Sequence, residues 1–262
     1  MRIHRFKMRK ASSVMVIGLV GLLSAVVTAG VARGDGRVTP SPDGGHVAHA
    51  DARAYLLDHL RDLAAGDGVW LSTRLQDQLP NHLYSIDGAE AGPISPGLVV
   101  GEVIDVAKGA GFALADPDAE TRTVTDFDAP NAMWRVVEIS LSVESGFGAA
   151  AGRDTVTVGL PVGGGTDPGL ILEGLRGERI VVLYDEPGRF SHDRTLPAVS
   201  ERAGSLIGFV DAEGAVEFPS LGEDLDGYLD DLGTAESIIS AAQQPVTTTQ
   251  VEIVDGIPVV QG

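Results

Sequence analysis

The chain has 262 residues, of which 44% are hydrophobic and only 5% aromatic, and it contains no cysteine. The absence of cysteine excludes disulfide bonds, thiol catalysis and cysteine-ligated metal centres, and the few aromatic residues argue against a surface that stacks bases or sugars. Five basic residues and no acid lie in the first ten positions, so the rest of the chain has 14 basic and 37 acidic residues, a net charge of −23. A body with this charge repels nucleic acid and anionic lipid headgroups.

The first 32 residues have the pattern of a secretory leader. A basic start at residues 1–10 precedes an uncharged apolar stretch at residues 14–27, and small residues follow up to Ala32. This order is typical of a signal peptide, although residues 11–32 could also form one membrane anchor of about 20 residues. Both interpretations place the body outside the cytoplasm. Residues 33–47 are rich in Gly and Pro, and we expect them to form a flexible linker.

Residues 48–242 are predicted to form one globular domain that opens with a helix. Apolar residues recur at helical spacing between residues 51 and 63, which predicts an amphipathic helix that ends before Gly66. Residues 66–97 give no clear assignment. Helical spacing returns at residues 221–242. For residues 243–262 two alternatives remain, an unstructured tail and a small hairpin around Asp255 and Gly256.

Short β-rich segments occupy residues 98–218, and no helix is expected between them. The clearest alternates apolar and polar side chains from Val137 to Glu144, which indicates a sheet with one buried face. The apolar run at residues 180–184 is too short for a helix and predicts a strand buried on both faces. Residues 107–117 are expected to be a loop, and residues 205–210 and 215–218 to form a hairpin with a four-residue loop. Six or seven such strands favour an antiparallel barrel or sandwich.

Five segments in this region carry a resemblance to known proteins. They are VVGEV at 99–103, RVVEI at 135–139, DTVTV at 154–158, GERIVVL at 177–183 and LIGFV at 206–210. In this order they resemble exported bacterial domains whose barrels are similar to the oligonucleotide/oligosaccharide-binding (OB) fold and to the netrin-like module of metalloprotease inhibitors. The resemblance implies a mainly β (α+β) fold, an antiparallel OB-like barrel of about five to seven strands with flanking N- and C-terminal helices. The inhibitors' N-terminal cysteine and the basic, aromatic faces of oligonucleotide binders are absent, so their activities do not transfer.

Residues suited to hydrolysis do not form a recognisable arrangement. Ser191, His192 and Asp193 are adjacent, but neighbouring side chains diverge and cannot act on one another as a catalytic triad. No G-x-S-x-G pentapeptide is present. We therefore interpret the three residues as a polar turn and assign no catalytic residue.

Metal and cofactor sites are also not predicted. His46 and His49 are three residues apart with His59 on the following helix, yet the first lies in the linker. An oxygen-rich stretch could bind calcium, although it lacks the glycine and terminal glutamate of a calcium loop. Its candidate ligands are Asp116, Asp118, Asp126, Asp128 and Asn131.

These features favour an exported or membrane-anchored, non-catalytic β-domain of a high-GC, actinobacterial-like organism. It would act through an unknown protein partner at the cell envelope, would not bind nucleic acid, and would meet the membrane only through its N-terminal segment. Two alternatives stay open: an extracytoplasmic hydrolase with a site built from acids and His192, and a calcium-responsive surface protein.

Overall fold

The computed structural model describes residues 49–64, 74–114, 122–163, 165–185, 187, 198–199, 206–221, 229, 231–254 and 257–260. The predicted leader and linker at residues 1–47 lie outside them. Within these ranges, no helix has the length and hydropathy needed to cross a membrane.

The described fold is mainly β, with twelve strands in two sheets. The strands are β1 (His82–Ile86), β2 (Ala89–Pro93), β3 (Gly97–Leu114), β4 (Arg122–Thr125), β5 (Trp134–Gly148), β6 (Thr155–Gly163), β7 (Arg179–Asp185), β8 (Ala198–Val199), β9 (Ile207–Val210), β10 (Val216–Glu217), β11 (Thr247–Val254) and β12 (Ile257–Val260). The helices are α1 (His49–Ala64), α2 (Pro168–Leu175) and α3 (Ala235–Ala242), with short 3₁₀ helices at Leu75–Gln78 and Pro219–Leu221.

The larger sheet has eight strands in the order β10-β9-β7-β8-β6-β5-β3-β4, and β7 also pairs with β3. All of its pairings are antiparallel except the single parallel contact of β6 with β8. The long strand β3 shifts register against β5 at three places, the first between Val100 and Gly101. A Cβ at Gly101 would collide with the backbone of Ser142, so glycine allows the close approach of β3 and β5 at this register shift.

One apolar core lies between α1, α2 and the inner face of this sheet. The alternation predicted in β5 is confirmed, because Val137, Ile139 and Leu141 are fully buried in that core. Helix α1 occupies the segment predicted from helical spacing and buries Leu56 and Leu60 in the same cluster. The side chains of α1 therefore complete the core that the strands begin.

Strand β7 is buried on both faces, as its apolar run predicted. Ile180, Val182 and Tyr184 join the first core, whereas Val181 and Leu183 join a second one on the opposite face. The second core also contains apolar residues of β3, the first 3₁₀ helix, β10 and α3. Strand β7 thus links two apolar layers, which accounts for a run without a polar face.

Two local predictions were wrong. Residues 107–114 are the continuation of β3 rather than a loop, because Gly109 and Gly111 sit at a register shift within the strand instead of ending it. Helix α2 interrupts the strand series between β6 and β7. Asp167 caps it by accepting a hydrogen bond from Gly169 N, and Pro168 occupies its first turn, a start signal that the sequence already contained.

The smaller sheet has the order β12-β11-β1-β2 and joins distant parts of the chain. Strands β1 and β2 form a hairpin whose turn contains Asp87 at φ +50° and Gly88 at φ +78°. Strand β11 pairs parallel with β1 and antiparallel with β12. Asp87 connects the β1–β2 hairpin to β11, since its Oδ1 accepts a hydrogen bond from Ile253 N at 3.0 Å.

Helix α3 occupies the end of the segment in which helical spacing returns, and Leu229, the one described residue between 222 and 230, is also helical. Thr234 caps α3 in a capping box with Ser237, and the described residues 231–234 before it are not helical. Gly233 precedes the cap, so a poor helix former lies just outside the helix.

Candidate functional site

An unpaired stretch of sheet edge lies within β3 among the described residues. Strand β5 pairs with one edge of β3 at both ends of the strand, so β7 and β4 must both lie on the other edge. On that edge β7 reaches Glu102, and β4 begins opposite Gly111. Among the residues that the structure describes, no strand pairs with this edge at residues 104–110, which we call the β3 gap.

The turn between α2 and β7 closes one end of the β3 gap. Val103 N donates a hydrogen bond to Glu178 O at 2.9 Å, and Gly177 N donates one to Val103 O at 3.3 Å. Two of the register shifts between β3 and β5 lie just beyond, one around Ile104 and one between Lys108 and Gly111. Such irregularities increase local twist and bend a strand, which explains why β7 and β4 flank the same edge without meeting.

A groove of about 210 Å³ lies at this end of the gap. Its lining combines an apolar wall from Val103 to Val106 with the carboxylate of Asp105 and with Arg176. Ile104 is 56% exposed, which is high for an isoleucine. The groove is smaller than typical small-molecule pockets, which measure about 300–1,000 Å³. Its size therefore suits one or two side chains of a larger partner.

The charges at the two ends of the β3 gap differ in how they are paired. At the far end, Lys108 Nζ donates to both oxygens of Asp128 at 2.8 and 2.7 Å. At the groove, Asp105 is exposed and makes no ion pair with any residue that the structure describes. Arg176 is 3.6 Å from Glu173 through Nε and Oε2. The groove therefore offers a carboxylate that no described residue pairs, beside an exposed apolar side chain.

A second polar cluster surrounds His82 on β1. Its Nε2 lies 2.8 Å from Thr249 Oγ1 and its Nδ1 lies 3.1 Å from Thr247 Oγ1. Asp77 Oδ1 is 3.8 Å from the same Nδ1, which is beyond hydrogen-bonding distance. Because both threonines belong to β11, the imidazole joins the side chains of two parallel strands.

Burial lowers the pKa of His82 below its ordinary value. The carboxylate of Asp77 acts in the opposite direction, and the guanidinium of Arg74 adds to the lowering. A neutral imidazole donates through one nitrogen and accepts at the other, which matches two hydroxyl partners. A hydroxyl at hydrogen-bonding distance from a base resembles a nucleophile and its activator. Among the described residues, however, no carboxylate is within hydrogen-bonding distance of Nδ1 to orient that base. The arrangement is suited to holding β11 against β1.

Most of the residues considered in the sequence for chemistry are not brought together. His46, Asp116, Asp118, Ser191, His192 and Asp193 lie outside the described residues. His49 Nε2 donates to Arg176 O at 3.1 Å, and His59 lies 3.4 Å from Thr166 through Nδ1 and Oγ1. Asp128 is engaged by Lys108. Across the described ranges, no group of three or more His, Asp or Glu side chains is placed to hold a metal ion.

Residues of the β3 gap and the His82 cluster were not singled out in the sequence. Ile104 and Asp105 stand inside a β-rich segment and carry no local signal of exposure. The sequence around His82 contains no local signal of its cluster, because its partners on β11 are more than 160 positions away. Comparison of the chain with protein-family models, with curated proteins and with solved structures finds no match.

Proposed function

We propose that this protein is an exported or membrane-anchored, non-catalytic β-domain that acts through protein contacts at the bacterial envelope. The leader pattern of residues 1–32 supports export. The acidic body, at −23, favours a partner with a basic surface over nucleic acid or an anionic membrane.

The observation that carries the proposal is where exposed apolar side chains lie. Five large hydrophobic residues are exposed among those described, and three of them border β3. Ile104 is in the strand, Val124 pairs with Phe112 in the register, and Met133 N donates to Phe112 O at 2.9 Å. Val124 is 72% exposed. Ile104 lies about 26 Å from Phe112 along the strand, at about 3.3 Å per residue, so the three side chains are spread along β3 and its flanks. Exposed apolar side chains on a protein surface indicate candidate contact regions.

The pairing pattern supports an OB-like barrel as the scaffold for this contact. Strand β3 pairs with β5, β5 with β6, β6 with β8, β8 with β7, and β7 again with β3. The series returns to β3 through one residue pair between β6 and β8, Gly159 with Ala198, and we propose that it belongs to a small barrel of this kind. In the proposed fold, α1 and α3 flank the barrel.

Site-specific cross-linking tests the proposed contact. A photo-reactive residue would replace Val124 in the full-length protein in its own host cells. The matched control is the same replacement at Val246, which is 63% exposed and lies just before β11 of the other sheet. We expect a discrete protein adduct from position 124 and none from position 246. Equal adducts from the two positions, or none from position 124, would refute a contact at β3.

A substrate panel tests the opposing hypothesis of a hydrolase. Ester, peptide and glycan substrates would be offered to the full-length protein and to its His192→Ala variant. We expect no turnover by either protein. Turnover by the full-length protein that is lost in the His192→Ala variant would refute the non-catalytic proposal and favour a hydrolase.

A further inference from the structure

We propose that the β3 gap binds an extended, basic segment of a partner protein, which adds a strand to β3 between β7 and β4. The proposal rests on the proposed function and names the surface and the chemistry of the contact. It concerns the edge of the sheet, so the main chain of β3 is the primary binding element.

The geometry of the gap fits a strand. Its seven residues, 104–110, extend for about 23 Å at about 3.3 Å per residue. The small side chains of Ala107, Gly109 and Ala110 are half-buried and leave room for a neighbouring backbone. Extended peptides bind exposed sheet edges through main-chain hydrogen bonds, and pockets for alternate side chains supply specificity.

The side chains at the groove indicate what the added strand would carry. Ile104 offers an exposed apolar surface, and Asp105 offers a carboxylate without an ion-pair partner among the described residues. Glu102, also exposed, lies just before them on the same strand. A segment that alternates apolar and basic side chains would match this surface, because successive residues of a strand point to opposite faces.

Charge beyond the groove favours the same partner. The chain after its first ten residues has a net charge of −23. The only lysine in the gap is already engaged by Asp128. A second copy of this chain would bring another net charge of −18 to the same surface, and the resulting repulsion disfavours self-association. The edge is therefore better suited to a basic partner than to a copy of itself.

Peptide binding to the full-length protein in non-ionic detergent tests the proposal. The probe is a fluorescent peptide of alternating lysine and valine, seven residues long, and binding is followed by polarisation at physiological ionic strength. Two matched peptides accompany it, one with glutamate for lysine and one N-methylated at alternate residues along one edge. We expect at least tenfold weaker binding of both, because the first reverses the charge and the second removes main-chain donors. Equal binding of the N-methylated peptide would overturn strand addition.

Two charge reversals locate the site on the protein. Asp105→Lys changes the groove, and Glu90→Lys makes the same charge change at an exposed position on the other sheet. We expect about tenfold weaker peptide binding with Asp105→Lys and less than about twofold with Glu90→Lys. Equal losses in the two variants would mean diffuse charge attraction and would overturn the site.

Amide hydrogen exchange distinguishes a bound partner segment from two other possible occupants of the β3 gap, another segment of this chain and a second copy of it. Some amides within residues 104–110 bond to β5 and are protected in both states. We expect the others, which point to the gap, to exchange rapidly in the unbound protein and slowly with the peptide bound. Protection before peptide is added would assign the edge to the chain itself, and a dimer dissociated by Asp105→Lys would assign it to a second copy. Either result overturns the proposal. A cross-linked partner at position 124 whose binding is insensitive to Asp105→Lys would also overturn it, while leaving the proposed function standing.

Discussion

Replacing Gly174 with alanine tests the packing of α1 against α2. A Cβ at this position would lie 2.6 Å from Ala52 O, 2.9 Å from Ala52 C and 3.1 Å from Leu56 Cβ. These distances are shorter than ordinary van der Waals contacts. Ala52 and Leu56 are fully buried, and the nearest obstacles are backbone atoms. The new methyl group therefore pushes the two helices apart instead of displacing a flexible side chain.

Gly174→Ala has two opposing effects on the free energy of unfolding, and their relative sizes decide whether the variant is more or less stable. Alanine in a helix stabilises by about 1 kcal/mol relative to glycine. Overpacking a core costs about 1–3 kcal/mol, and a backbone obstacle places this site at about the upper end of that range. We expect a net loss of about 1–2 kcal/mol in the free energy of unfolding.

Urea unfolding of a soluble form that begins at Asp43, where the second compact unit starts, measures this loss. With a slope of about 3 kcal/mol per molar urea, the midpoint should fall by about 0.3–0.7 M at constant slope. Gly233→Ala is the control, since nothing lies within 4 Å of its added Cβ, and we expect a change below about 0.5 kcal/mol. An unchanged or higher midpoint for Gly174→Ala would show that the helices tolerate the methyl group and would refute the packing argument.

Three further substitutions test other contacts. Burial lowers the folded-state pKa of His82 below 6.5, so the unfolded state binds more protons and stability falls as pH drops below about 6.5. His82→Gln should flatten that part of the curve of urea midpoint against pH, and an unchanged curve would contradict it. Thr234→Ala removes the acceptor of Ser237 N and should cost about 1 kcal/mol, a fall in melting temperature of about 2–4 °C, which Thr234→Ser should largely avoid. Asp87→Ala removes a side chain suited to positive φ and the acceptor of the hydrogen bond from Ile253 N. We expect it to lower the free energy of unfolding by about 2 kcal/mol, measured with urea. An equally large loss for Asp87→Asn would argue against this explanation.

Local pattern was enough to predict the centre of the larger sheet. The alternation in β5 and the uninterrupted apolar run of β7 indicate which faces of these strands are buried, because the spacing of apolar side chains along a strand depends on which of its faces are buried. The start of α2 was also present in the sequence, at Asp167 and Pro168. It was missed because an eight-residue helix, apolar on most sides, shows little contrast between a buried and an exposed face.

The candidate site depended on information that no local pattern contains. Asp87 and Gly88 are a strong hairpin signal, but they do not identify β11 as the neighbour of β1. Likewise, nothing within residues 104–110 specifies that β7 ends at one side of them and β4 begins at the other. The β3 gap is a product of pairing between distant segments, and side-chain alternation indicates only faces, never neighbours.

The parallel pairing of β1 with β11 has a consequence for the timing of folding. His82 and Thr247 are neighbours in the sheet although 165 positions separate them in sequence. Contacts between such distant residues form slowly, because a large chain segment must close before they stabilise anything. The β1–β2 hairpin therefore forms early, whereas β1 gains its second neighbour only when synthesis has reached β11, more than 160 residues later. During that interval a bare strand edge is open to chaperones and to other nascent chains.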